Sequence, residues 1–322
     1  MLSGLLFFPV TPYRPDGGIH TDVLAEHIRR GVAAGAGAVF VACGTGEFHA
    51  LGEQEYRTVL RVAVETVGGA VPVYAGVGGS VATAKELAAV AGSTGVDGLL
   101  LLPPYLVRGP VSGLVSYVRD VTSSSPLPVI VYQRDMAVFT PAAAAEVATF
   151  PTVVGFKDGI GDLVLLADII RAVRKVDRTG QFQFFNGLPT AELSQVTYGR
   201  IGVDLYSSAV FAFAPEIALA FYAALQAGDE YTIDVLLREF YEPFGQLRLR
   251  VPGHAVGLVK AGARMRGLDV GGVRPPLMDP DEDDLRALEA LLHRGLRALH
   301  ELGSPDLPSL ETDLRGAVRS AS

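Results

Sequence analysis

Val153-Val154-Gly155-Phe156-Lys157-Asp158-Gly159 is the stretch that decides how the chain is read. β-Branched and aromatic residues run up to a lysine, and a glycine stops the run, the pattern of a buried strand at its C-terminal edge. The chain has only four lysines (Lys85, Lys157, Lys175 and Lys260), against many arginines. Burying an ammonium in so apolar a stretch is costly, and the same desolvation lowers the amine pKa. A neutral amine is what attack on a ketone requires. The plainer alternative is a rim lysine paired with Asp158, and Lys157 by itself does not separate the two.

Outward from this strand, short β-rich runs alternate with helical patterns. Strands are expected at Leu5–Val10, Val39–Cys43, Val71–Val77, Leu99–Leu102, Val129–Gln133, Val153–Lys157, Phe182–Phe185 and Val203–Ser207. Helical spacing falls near 22–34, 53–67, 80–92, 110–122, 141–149, 162–176 and 190–198, and an eighth helix follows Pro215. Eight strand–helix units in about two hundred and twenty residues fit an α/β fold of the (β/α)8 TIM-barrel type. A doubly wound sheet fits less well: Gly76-Val77-Gly78-Gly79 follows a strand, but Val81 stands where a dinucleotide fingerprint needs its third glycine. After Asp229 the alternation gives way to helices, with an apolar stripe of Leu285, Leu288, Leu292, Leu296 and Leu299 behind the acidic cluster 281–284. The expected organisation is a catalytic barrel over 1–228, a C-terminal helical extension over 229–302 and a flexible tail over 303–322.

With 322 residues and 49% hydrophobic content, the chain can bury a large core. A net charge of -8 argues against nucleic acid or an anionic membrane as partner. One cysteine, Cys43, rules out an internal disulfide and fits a reducing cytoplasm, and the first residues lack the basic start of a signal peptide. The uncharged stretch 66–84 is too broken by Gly and Pro to span a membrane.

Barrel chemistry gathers at the C-terminal ends of strands. By alternation Val153 and Gly155 share the Lys157 face, and Gly155 leaves room around the amine. One strand earlier, Ile130, Tyr132 and Arg134 share a face, which would bring a phenol and a guanidinium to the same mouth. Taken singly, Tyr132 is as well explained as a core aromatic, and Arg134 as a rim partner of Asp135. Gly44-Thr45-Gly46-Glu47 follows the second strand, and its consecutive amides could hold a carboxylate. The six histidines show no metal-ligand spacing, and neither a G-x-S-x-G elbow nor a P-loop lysine is present.

These residues carry a resemblance. Phe8-Pro9-Val10-Thr11-Pro12, Gly44-Thr45-Gly46-Glu47, Leu102-Pro103-Pro104-Tyr105, Tyr132 and Gly155-Phe156-Lys157-Asp158 resemble the dihydrodipicolinate synthase/N-acetylneuraminate lyase superfamily of Schiff-base enzymes. Residues 1 to about 300 are covered. Tyr132-Gln133-Arg134-Asp135, Gly155–Asp162 and Tyr206-Ser207-Ser208-Ala209 are most similar to its 5-dehydro-4-deoxyglucarate dehydratase branch. A single Thr45 after Gly44, and Tyr105-Leu106 in place of paired tyrosines, depart from the synthase pattern, and Met136 stands where the dehydratase branch usually has Asn.

The resemblance implies a Schiff base at Lys157 and proton transfer by Tyr132. It implies conversion of 5-dehydro-4-deoxy-D-glucarate to 2,5-dioxopentanoate, carbon dioxide and water, with no metal or organic cofactor. The substrate would be held by Gly44, Thr45, Gly46, Arg134, Ser207 and Ser208, with Asn186 and Gly187 meeting its hydroxyls. A homotetramer or homodimer is implied as well, in keeping with a mean hydropathy of +0.32. Two alternatives share the scaffold: an aldolase that releases pyruvate from a 2-keto-3-deoxy sugar acid, and a barrel that binds a sugar acid without turnover.

Overall fold

Eight parallel strands close on themselves in chain order, the last pairing back with the first. The computed structural model describes residues 1–104 and 107–303; Tyr105, Leu106 and the part of the expected tail from 304 onward lie outside them. The strands are β1 (Leu6–Phe7), β2 (Ala38–Val41), β3 (Val73–Val77), β4 (Gly98–Leu101), β5 (Val129–Gln133), β6 (Val153–Asp158), β7 (Gln183–Asn186) and β8 (Leu205–Ser208). The helices between and after them are α1 (Thr21–Ala33), α2 (Glu53–Val67), α3 (Val81–Thr94), α4 (Val111–Thr122), α5 (Pro141–Ala148), α6 (Leu163–Val176), α7 (Glu192–Arg200) and α8 (Pro215–Ala227). This is the (β/α)8 barrel expected from the sequence. The first strand is shorter than the apolar run 5–10 because Pro9 has no N–H for the ladder.

Strand register fixes what faces inward. Tyr132 pairs with Lys157 and Lys157 with Phe185, so the phenol, the amine and a ring share one layer. Alternation then turns Gln133, Asp158 and Asn186 outward, toward the helices. A β-bulge shifts the register between β5 and β6: Val129 pairs with Val153, but Ile130 pairs with Gly155. Simple alternation therefore holds only from Gly155 onward, and Val153 does not share the Lys157 face through unbroken parity.

The chain continues as α9 (Glu230–Leu236), a π-helical turn (Leu237–Tyr241), α10 (Glu242–Arg250), α11 (His254–Met265) and α12 (Glu282–Glu301). On α12, Leu288, Leu292, Leu296 and Leu299 are buried as the stripe requires. Asp281 caps the helix by accepting the Asp284 N–H at 2.8 Å. The buried Asp284 carboxylate in turn meets Arg250 and, at 3.1 Å, His254 Nδ1, and so fixes α12 against α10 and α11. Through Arg248, Ala255 and Val256, α10 and α11 reach over the C-terminal mouth of the barrel.

Candidate active site

At the C-terminal mouth lies a cavity of about 350 Å³ whose wall includes Phe8, Gly44, Thr45, Tyr132, Arg134, Lys157, Gly187 and Ser207. A larger hollow of about 820 Å³ lies at the other end, around Leu2, Pro151 and Phe182. Its carboxylates are engaged in structure: Asp97 accepts the Val73 N–H and Asp177 the amides of its own loop. The mouth is the end that holds a buried amine.

Lys157 is 6% exposed, and its Nζ donates to Ser207 Oγ at 3.1 Å. The ammonium lies 4.2 Å from the Phe8 ring centroid and 5.0 Å from that of Tyr132. Desolvation pulls its pKa down to about 7, partly opposed by the Cys43 thiol and reinforced by the Arg134 charge. The rim alternative fails, because Asp158 points away. Its carboxylate accepts from Gln133 Nε2 at 2.6 Å, from the Tyr198 hydroxyl and from the amides of Ile160 and Gly161.

Tyr132 donates to Gly187 O at 2.8 Å and accepts from Arg134 Nη1 at 3.2 Å. Burial raises the phenol pKa and the guanidinium works against that rise. Arg134 is also 3.6 Å from Asp135, a loose, exposed contact beside its bond to Tyr132. The rim pairing exists, yet the guanidinium faces the reacting end of the site as well.

Gly187 has a sharper role than a hydroxyl contact. A Cβ there would stand 2.7 Å from both Lys157 Cε and Tyr132 Cε2. Its missing side chain is what lets the amine and the phenol sit side by side. Gly155, expected to leave that room, does not: the space at its Cα is filled by Phe185, 2.7 Å from an added Cβ.

Gly44 and Thr45 lie on the wall facing Lys157. Gly46 does not; it is buried beneath the loop, its carbonyl accepting from Thr11 Oγ1 at 2.6 Å. Ser207 is inward on β8; Ser208 also contributes to the cavity wall, although alternation turns its side chain toward the helices, where its Oγ accepts the Phe211 N–H. Asn186 is wholly buried and outward. Its amide donates to Ala191 O, Ser194 Oγ and Gln195 Oε1, so it braces the β7–α7 turn and is not placed to meet a substrate hydroxyl.

Among the described residues four non-glycine residues have φ in the left-handed region, Ala42, Glu47, Asp135 and Thr190, and all four lie in the loops that follow β2, β5 and β7. Strain of this kind persists only where surrounding contacts hold it, and it gathers at functional sites. Other residues of the wall were not expected as site residues, among them Phe8 beside the amine, Thr190 and Arg248. Phe8 could have been found from its place one residue past β1 on the inward face. Arg248 carries no comparable signal, because it comes from a helix outside the strand–helix repeat.

Known proteins give the same frame. Residues 1–294 match the model of the dihydrodipicolinate synthetase family. The chain belongs to the dihydrodipicolinate synthetase family. It is 54% identical over 299 residues to "Probable 5-dehydro-4-deoxyglucarate dehydratase 1" of Streptomyces avermitilis, covering 93% of this chain and 95% of the relative. It is 56% identical over 293 residues to the protein of the same name from Streptomyces coelicolor, covering 91% and 93%. Among solved structures, dihydrodipicolinate synthase from Oceanobacillus iheyensis superposes with a TM-score of 0.83 at 26% identity, covering 91% of this chain and 96% of that one. A prophage protein of the dihydrodipicolinic acid synthase family from E. coli K12, solved with pyruvate, gives 0.79 at 26% identity, covering 91% and 98%. Among the described residues no helix is long and apolar enough to cross a membrane. In this family member, then, the amine at the end of β6 is the group whose chemistry has to be explained.

Proposed function

We propose that this chain is a lyase, a decarboxylating 5-dehydro-4-deoxyglucarate dehydratase working through an imine at Lys157. The observation that carries the reading is the buried Lys157 amine, its pKa drawn down to about 7, beside the Tyr132 phenol in the mouth of the barrel. The relatives at 54% and 56% identity supply the substrate class.

The residues account for each step. Neutral Lys157 adds to the C5 ketone, and loss of water leaves a protonated imine that serves as electron sink. Tyr132, which has given its phenol proton to the hydroxyl leaving C5 as water, takes the C4 proton. It passes that proton to the C3 hydroxyl, which departs as water and leaves a C3–C4 double bond conjugated with the imine. The C1 carboxylate then leaves as carbon dioxide. Its bonding pair moves through C2 and C3 into the conjugated system, giving an enol at C2. A proton returned to C4 turns the resulting enamine back into an imine, and tautomerisation of the enol gives an aldehyde. Hydrolysis of the imine releases 2,5-dioxopentanoate and restores the amine. The carboxylate next to the imine meets the Gly44 and Thr45 amides, and Arg134 and Ser207 meet the polar remainder of the substrate.

Incubation with 5-dehydro-4-deoxy-D-glucarate, with mass spectrometry of protein and products, tests this. Carbon dioxide and 2,5-dioxopentanoate are expected, and borohydride should fix substrate mass on Lys157. Pyruvate among the products would indicate an aldolase, and absence of turnover with bound ligand a binding barrel. The enzyme is further proposed to act in the cytoplasm as a homodimer or homotetramer. Exposed Val164, Leu193 and Val196 on α6 and α7 offer apolar contact surface, and light scattering should give a mass well above 34.0 kDa.

A further inference from the structure

Arg248 reaches the cavity from α10, outside the loops that carry the rest of the site. Its Nη1 donates to Thr190 Oγ1 at 3.0 Å, and its guanidinium lies 5.6 Å from the Phe244 ring centroid. Thr190 is itself held at φ 51, so its hydroxyl is presented by strained backbone. The Arg248 Nε is buried, with no hydrogen-bond partner among the described residues. Arg248 lines the cavity wall, and an arginine fork suits a carboxylate.

What lies behind Arg248 completes the arrangement. Glu192, 1% exposed, faces it from the start of α7, with the Ser208 hydroxyl and the phenols of Tyr206 and Tyr241 around the same carboxyl. Burial pulls the Arg248 pKa down to about 10, Glu192 works against that fall, and the Arg134 charge adds to it. Two guanidinium groups thus act on one mouth, a repulsion that an anionic ligand between them would relieve.

We propose that Arg248 is a specificity-determining residue that binds the carboxylate at the far end of a keto-diacid, from α10 beside the β7–α7 loop. The proposal rests on the reaction assigned above for its view of the substrate, whose two carboxylates stand at either end of a six-carbon chain. The Gly44–Thr45 amides take the carboxylate beside the imine. Arg248 selects molecules that carry the second.

Borohydride trapping on the intact enzyme with two unreactive keto acids of that length, 2-oxoadipate and 2-oxohexanoate, isolates this choice, because they differ only at the far end. Wild-type enzyme should half-saturate at roughly 10- to 100-fold lower 2-oxoadipate than 2-oxohexanoate, the worth of a hydrogen-bonded charge pair. R248Q should bring the two concentrations to within about threefold of each other, mostly by weakening 2-oxoadipate. R248K keeps the charge but loses the fork, and should fall between. An unchanged preference in R248Q, or equal half-saturation in the wild type, overturns the proposal. If R248Q does not fold, R248K carries the test, and wild-type preference in R248K overturns it. Carbon dioxide release from 5-dehydro-4-deoxy-D-glucarate is measured separately, so a failure of the reaction leaves the keto-diacid preference standing or falling on its own.

Discussion

Lys260 Nζ lies 2.6 Å from Glu47 Oε1, and both side chains are closed off from solvent. The pair joins α11 to the loop that presents Gly44 and Thr45. Lys260 also donates to Gly272 O at 2.6 Å, and the Arg274 N–H donates to the other Glu47 oxygen at 2.8 Å. Lys260 and Arg274 both lie 4.1 Å from the Tyr13 ring centroid. Glu47 holds φ 57 in this setting, so the helical extension helps to fix the amide cradle.

Removing one partner of such a pair leaves the other charge buried alone. Lys260→Met should therefore cost about 3–5 kcal/mol of folding stability. The double variant Glu47→Gln/Lys260→Met should cost clearly less than the sum of the two single changes. Urea unfolding of the four proteins measures this; additive losses would show that the two charges do not act as a pair.

Lys157 should give the enzyme a distinct pH signature. The rate of imine trapping with pyruvate should rise about tenfold per pH step up to about 7 and then level off, because only the neutral amine attacks. Stability follows the same group. The folded chain releases this proton near pH 7, whereas the unfolded chain holds it to the ordinary lysine value of 10.5, so unfolded protein binds more protons between those limits. The contribution of Lys157 to stability is thus least favourable below pH 7 and improves as pH rises across that window. Lys157→Met should be more stable than wild type at pH 6, by up to roughly 5 kcal/mol, and the gap should narrow by pH 9. A gap that does not change with pH would place the amine in water.

Tyr132→Phe should leave the fold intact and lower kcat by about 10²–10⁴-fold, the range for a lost acid–base group. Gly187 O loses its phenol donor, a change of about 1 kcal/mol in stability. Borohydride trapping should persist, since the amine remains. Unaltered kcat would make Tyr132 a core aromatic and nothing more.

Gly187→Ala tests the spacing of amine and phenol. The new Cβ would also stand 2.9 Å from Asp158 O, which is backbone and cannot swing aside. A loss of about 1–3 kcal/mol is expected from overpacking, with turnover falling further than stability because both reactive groups are displaced. Gly155→Ala, which would clash with Phe185 instead, should cost stability with a smaller effect on imine trapping.

Much of this was legible in the sequence because barrel periodicity is local. Each short apolar run between helical patterns needs only its neighbours to be read, and parity placed Tyr132 and Lys157 on one face. The errors came where parity was broken or not carried to the strand ends. The bulge beside Val154 put Gly155 under Phe185. Asn186, the last residue of β7, turns outward by the same alternation that turns Lys157 inward, and Ser208 at the end of β8 reaches the cavity wall with its side chain turned outward. Arg248, Glu192 and the Lys260–Glu47 pair were beyond reach for another reason. Arg248 meets Thr190 from 58 residues away, and Lys260 comes to Glu47 from a helix outside the barrel repeat. No period in the sequence links such elements.

Arg134 is where proton transfer and substrate choice meet, and it separates them experimentally. Its Nη1 bond to the Tyr132 hydroxyl restrains the rise in the phenol pKa, so Arg134→Ala should push that pKa higher still and slow proton transfer for every substrate. The diacid should lose more. At its far carboxylate the half-exposed Arg134 stands second to Arg248, so its removal there adds about 0.5–1 kcal/mol of lost transition-state stabilisation. Trapping of pyruvate, which lacks that carboxylate and needs no proton from the methylene to form its imine, should be nearly unchanged. The comparison to make is kcat/KM on the diacid against pyruvate trapping for wild type and Arg134→Ala. Equal losses in both would reduce Arg134 to its rim contact with Asp135, because a residue that only shapes the loop would disturb imine formation and diacid turnover alike.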